Sequence, residues 1–205
     1  LAAFASGEDV HRATAARIAG CSPAAVTAAQ RAAAKTVNFG VLYGMGARGL
    51  GERLGISTEE AKRFIDDYFA SYPRVRDCIA ALVAAARRSG ETTTLLGRKL
   101  RVADITSPHP ARRAAAERLA VNAPIQGSAA DLIKLAMVRV HAALDRAGLH
   151  GQLVLQVHDE LLFDVPAGEV EPVGALARRE MAAALVLRVP LVVDLGHGRN
   201  WAEAH

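Results

Sequence analysis

Residues 152–165 read QLVLQVHDELLFDV: two β-prone apolar runs flank a polar His-Asp-Glu centre, in a chain whose other long segments carry helix signals. A strand needs a partner for its backbone amides and carbonyls, and each run has the other as its nearest candidate. The segment therefore predicts an antiparallel hairpin with His158, Asp159 and Glu160 at its tip. A helix near 169–187 and a returning strand near 189–195 follow, which makes the second half hairpin, helix and strand.

The first half reads as helical. Residues 9–19 and 23–45 have helix-like composition, with Ser22 placed as an N-cap before a first-turn Pro23. Ser57 and Glu60 form a capping-box pattern opening a helix that runs to about Tyr72 and stops at Pro73. Another helix fills about 74–89 and ends at Gly90. Residues 92–103, TTTLLGRKLRVA, suit a short hairpin or extended connector around Gly97. Pro108 and Pro110 mark a loop before a helix from about Ala111, Pro124 interrupts that helix, and a further one runs from Ser128 to Ala147 and stops at Gly148. The fold class is α+β, with a mainly helical domain over 1–116 and an antiparallel sheet within 117–205.

No run of ~18 uncharged apolar residues occurs, and the first residues lack a basic stretch followed by a long apolar one, so neither a membrane partner nor export is expected. Cys21 and Cys78 lack metal-ligand spacing and are expected as reduced thiols in a cytoplasmic protein. Residues 1–118 hold 18 Lys+Arg against 11 Asp+Glu, whereas 119–205 hold 7 against 10. A basic first half suits a polyanionic partner and an acidic second half suits a cation. Ordinary solvated faces would account for the same charges.

Chemistry concentrates in three places. In RAAAKTVNFGVLYG, Arg31, Lys35, Phe39 and Tyr43 recur every four residues and share one stripe of a helix. Two cations at that spacing repel slightly, so an anion between them makes sense of the pattern, and two aromatics beyond suit a sugar and base. A nucleoside triphosphate combines those features; solvated cations and core aromatics are the plainer alternative. His158, Asp159 and Glu160 would offer hard oxygen ligands suited to Mg²⁺, although most hairpin tips are polar. Arg118, Asn122 and Gln126 are donors at intervals of four that could grip the acceptors common to all base pairs in the minor groove, or be surface residues near a helix start.

In this order, the segments SGEDVHRATA, RAAAKTVNFGVLYG, TLLGRKLRV, ARRAAAERLAVNAPIQGSAADLIK, QVHDELLFDVP and GRNWAEAH resemble the family A DNA polymerases over essentially the whole chain. The resemblance implies fingers over 1–116 and the C-terminal part of a palm over 117–205. On it, His11, Arg31 and Lys35 would bind the triphosphate of a dNTP, Phe39 would pack on its sugar and Tyr43 would guard the base insertion site. Lys35, Asp159 and Glu160 would be catalytic, the two carboxylates holding Mg²⁺. Arg118, Asn122, Gln126 and His158 would contact primer-template DNA. The implied reaction is two-metal nucleotidyl transfer from dNTP to a primer 3′-hydroxyl.

The resemblance also implies an Asp-Tyr-Ser-x-x-Glu strand with another metal-binding Asp, placed before Leu1, and a thumb. Residues 1–205 contain neither, so on their own they are expected to be inactive and prone to self-association along an unpaired sheet edge. Rival readings are a non-catalytic DNA- and nucleotide-binding module, a metal-dependent hydrolase built on His158, Asp159 and Glu160, and a single-subunit RNA polymerase. The last would call for a Met-containing helix motif and HDS, where this chain has NFG and HDE.

Overall fold

The structure is a computed structural model that describes Phe4 and residues 6–204; His205, which ends the GRNWAEAH segment, lies outside them. Two compact units divide at Gly127 and Ser128, further along the chain than the expected boundary after residue 116. Among the described residues, helices and two separate two-stranded antiparallel sheets make an α+β fold, as the sequence predicts.

In the first unit α1 is Val10–Ala19, α2 Ala28–Leu42, α3 Ala47–Leu54, α4 Thr58–Ser71 and α5 Pro73–Ser89. The Ser22-Pro23 signal opens only a 3₁₀ turn, Pro23–Ala25. The long helix starts afterwards because Thr27 and Gln30 form a full capping box, each side chain bonding the other's backbone N–H. Ser57 and Glu60 cap α4 in the same way, as expected. Val37 and Val41 of α2, Leu50 of α3 and Ala61 and Tyr68 of α4 close one core. Val37 and Leu50 are fully buried, each contributing about 1.5–3 kcal/mol of apolar burial.

A short hairpin follows: β1, Glu91–Thr93, pairs with β2, Lys99–Arg101, in the register Thr92 to Leu100. Next comes α6, Pro110–Ala147, whose residues through Gly127 belong to the first unit. It corrects the expected break at Pro124, which lies inside the helix. A proline there withholds the N–H that would bond the carbonyl of Ala120. Thr92 Oγ1 supplies the missing donor, reaching Ala120 O at 3.1 Å in a fully buried setting. Ala86, Val102, Ile105, Ala116 and Ala120 form the core around this junction.

In the second unit β3, Gln152–Val157, pairs with β4, Glu160–Asp164, joined by the two residues His158 and Asp159. A register shift between Leu153 and Leu155 bends the ladder. A 3₁₀ turn, Ala167–Glu169, leads into α7, Val170–Ala182, which is shorter than the expected 169–187. Val140 and Leu144 of α6 pack on Val173 and Leu176 of α7, with Phe163 and Val165 against them. The strand expected near 189–195 does not form: those residues make no ladder, and Val192 is 80% exposed. A β-prone run becomes a strand only where an edge accepts it, and among the described residues β3 and β4 pair only with each other. The short helix α8, Trp201–Ala204, ends the described chain. No helix among the described residues is long and apolar enough to cross a membrane.

Candidate functional site

Helix α2 carries the predicted stripe, and α1 meets it. Asp9 caps α1, accepting from the amides of His11 and Arg12 at 3.0 Å each. Its other oxygen takes the Nε–H of Arg31 at 2.5 Å. The Arg31 guanidinium, followed by the Arg12 amide, holds the Asp9 carboxyl down to about 2. The stripe's anion is thus partly supplied by the protein. Arg31 has a carboxylate partner, whereas among the described residues no carboxylate pairs with exposed Lys35.

His11 lies against Phe39, ring centroids 5.5 Å apart and tilted by 53°. Burial first, then the cations Arg31 and Lys35, push the His11 pKa down, with Asp9 opposing them. Both effects favour the neutral imidazole beside the two cations. Phe39 is 47% exposed, so its ring is open to a ligand.

Sequence reasoning missed Asn38. It is 8% exposed, and its Nδ2 lies 3.0 Å from His11 Nδ1 and 3.2 Å from Thr14 Oγ1. Thr14 Oγ1 is also 3.2 Å from the Tyr72 hydroxyl. The available signal was a polar residue among Val37 and Val41 on the apolar face of α2.

The C-terminal end of α2 meets the first part of α6. Tyr43 is the C-cap, Gly44 follows at φ +77°, and a Cβ on Gly44 would stand 2.7 Å from Arg118 Cγ. Close passage of Arg118 over this turn thus requires glycine. Phe39, Tyr43, Gly44, Met45, Arg53 and Arg118 line a cleft of about 490 Å³, within the range of small-molecule sites. A predicted nucleotide stripe and one predicted DNA contact therefore share a wall.

Asn122 and Gln126 face a second cleft of about 300 Å³, with Thr92, Thr94 and Arg98 of the β1–β2 hairpin. Asn122 Nδ2 donates to Tyr43 O at 3.4 Å, and its Oδ1 is buried without a partner. Arg98 donates to Gly127 O at 3.0 Å, and a Cβ on Gly127 would lie 2.7 Å from Thr94 Cγ2. Arg118, Asn122 and Gln126 lie on one helix, so α6 carries all three as a single element.

The hairpin turn of the second unit holds the other predicted site. His158 has φ +53° and is the only non-glycine residue with positive φ among the described residues. Positive φ is a conformation that a histidine adopts at some cost. The side chain of Gln156 bonds His158 O, bracing the turn. Asp159 is exposed and Glu160 is half-buried. Carboxylate oxygens of this kind suit Mg²⁺ by type, but among the described residues no three His, Cys, Asp or Glu side chains converge as a metal site. Asp159 and Glu160 would supply one side of such a site.

Three comparisons bear on these sites. The profile of DNA polymerase family A matches residues 1–203. DNA polymerase I of Mycobacterium tuberculosis is 48% identical over 206 residues, covering 100% of this chain and 23% of that protein. DNA polymerase I of Chloroflexus aurantiacus is 50% identical over 204 residues, covering 99% of the chain and 22% of the relative. The chain thus spans about a quarter of the length of these relatives. Among solved structures, the POL domain of Pol1 from M. smegmatis, in complex with DNA primer-template and dNTP, superposes with a TM-score of 0.94 at 45% identity, covering 99% of this chain and 36% of that one.

Proposed function

The chain belongs to DNA polymerase family A, and from that membership we propose that it serves template-directed DNA synthesis, with dNTP and primer-template DNA as its partners. Residues 1–116 act as fingers and 117–205 as part of a palm. The observation that carries the reading is the α2–α6 junction: a stripe of Arg31, Lys35, Phe39 and Tyr43 ends in a 490 Å³ cleft that Arg118 also lines.

In this reading Lys35 and the free N–H groups of Arg31 take phosphate oxygens, positioning the triphosphate and offsetting its charge. His11 adds a third phosphate contact. Phe39 offers its exposed face to the sugar, and Tyr43 closes the base position. Arg118, Asn122 and Gln126 hold the minor-groove side of the primer-template end, and His158 contacts the primer. Asp159 and Glu160 hold Mg²⁺ at the hairpin turn. Bound there, Mg²⁺ would supply Lewis-acid chemistry for activating the primer 3′-hydroxyl and stabilising the pyrophosphate oxygens. Among the described residues β3 pairs with β4 alone, and its other edge, with Val154 58% exposed, supports self-association at high concentration, readable by sedimentation. These partners suit a cytoplasmic protein.

The test is a chimaera in which residues 1–205 replace the matching segment of the M. tuberculosis polymerase. Primer extension that depends on Lys35 and Asp159 supports the reading. Binding of dNTP and DNA without extension would favour a non-catalytic module, and release of nucleotide without extension a hydrolase.

A further inference from the structure

Asn38 sits where the nucleotide stripe meets the core, and the hydrogen-bond geometry around it favours one arrangement, in which the Tyr72 hydroxyl donates to Thr14 Oγ1. Thr14 Oγ1 donates its single proton to Val10 O at 2.9 Å, so toward Asn38 it can only accept. The Asn38 group facing it at 3.2 Å must therefore be the NH₂, which fixes the orientation of the amide. The same nitrogen lies 3.0 Å from His11 Nδ1. Two donors cannot face each other, so Nδ1 must present its lone pair and the proton must sit on Nε2. Among the described residues Nε2 has no hydrogen-bond partner.

We propose that Asn38 is a positioning residue that locks His11 as the neutral Nε2–H tautomer, presenting a single uncharged donor to the triphosphate of the incoming nucleotide. The proposal rests on the nucleotide-site reading above. Its chemistry follows from the neighbours. The groups facing His11 are Asp9 at the cap of its own helix and Arg31 and Lys35 from α2, with Tyr72 at the end of α4 reached through Thr14.

Arg31 and Lys35 already supply positive charge, so a third cation beside them would be repelled. A neutral donor adds a directed N–H···O bond without that repulsion. Burial of the imidazole and the two cations act in the same direction as the Asn38 amide, keeping His11 unprotonated. His11 therefore takes on charge at lower pH than an ordinary histidine. Phe39, next to Asn38 in sequence, lies against the same ring, tilted by 53°.

The experiment is ¹⁵N NMR of the imidazoles in the 205-residue chain, with His11 assigned by its loss in His11→Gln. Wild type should show an unprotonated Nδ1 and a protonated Nε2 near neutral pH. Asn38→Asp puts an acceptor where the donor stood, and His11 should then titrate about one to three pH units higher. Asn38→Ala should release the tautomer to a mixture and weaken dNTP binding about fivefold, the value of one neutral hydrogen bond. The wild-type spectrum alone decides the tautomer if either variant fails to fold. An Nδ1-protonated His11 in wild type, or unchanged titration in Asn38→Asp, overturns the proposal while leaving the nucleotide site standing. A locked tautomer whose signals ignore added dNTP overturns the phosphate role and the site reading together.

Discussion

Replacing Thr92 with valine should destabilise the fold through a proline 32 positions away in sequence. The Thr92 hydroxyl donates at 3.1 Å to the Ala120 carbonyl that Pro124 leaves without its helical donor. Thr92 is 6% exposed and Ala120 0%, so water cannot take over. Valine keeps the volume and the methyl contacts, and the loss is that of a buried acceptor left unpaired, about 1–3 kcal/mol. With a urea slope of about 2 kcal/mol/M, the midpoint should fall by about 0.5–1.5 M. Pro124→Ala restores an N–H to Ala120 O, so in that background Thr92→Val should cost about 1 kcal/mol less or better. The assay is urea unfolding of the four proteins of this cycle, followed by helical circular dichroism. Equal losses from Thr92→Val in both backgrounds would refute the account of how α6 tolerates its proline.

Three further outcomes follow from the site. Lys35→Ala should weaken dNTP binding to the chain by one to two decades, about 1.5–3 kcal/mol for a charge-assisted bond, with little change in duplex binding; an equal loss of DNA affinity in calorimetry would move Lys35 to the template. Asp9 is held at about 2, below its ordinary 3.8, so its pairing with Arg31 stabilises the fold above the ordinary value and is lost as pH falls toward 2. Acid unfolding should accordingly show Asp9→Asn less stable than wild type at pH 6 and converging with it near pH 2, and a constant gap would rule this out. Gly44→Ala should cost about 1–2 kcal/mol for its positive φ, and adding Arg118→Ala should recover only the steric part due to the 2.7 Å approach; full recovery would mean that the backbone is unstrained.

Much of the site was legible because its signals are local. A helix repeats every 3.6 residues, so Arg31, Lys35, Phe39 and Tyr43 were bound to share a stripe once α2 formed. Ser57 with Glu60, and the stops at Gly90 and Gly148, act within one turn of the backbone, and all three appear where expected. The hairpin around His158 and Asp159 needed only two β-prone runs close in sequence.

What tertiary structure decided involves groups far apart in the chain. Pro124 reads locally as a break, and α6 continues through it only because Thr92 arrives from another element. The run near 189–195 reads locally as a strand, yet no described edge receives it. Asp9, which sequence did not single out, caps α1 and is also the counter-ion of Arg31, 22 residues later. Asn38 is an ordinary polar residue until α1 brings His11 and Thr14 to its amide. Sequence determines which groups each element offers. Packing determines which of them meet, because a buried donor or acceptor is satisfied by whatever the fold places beside it.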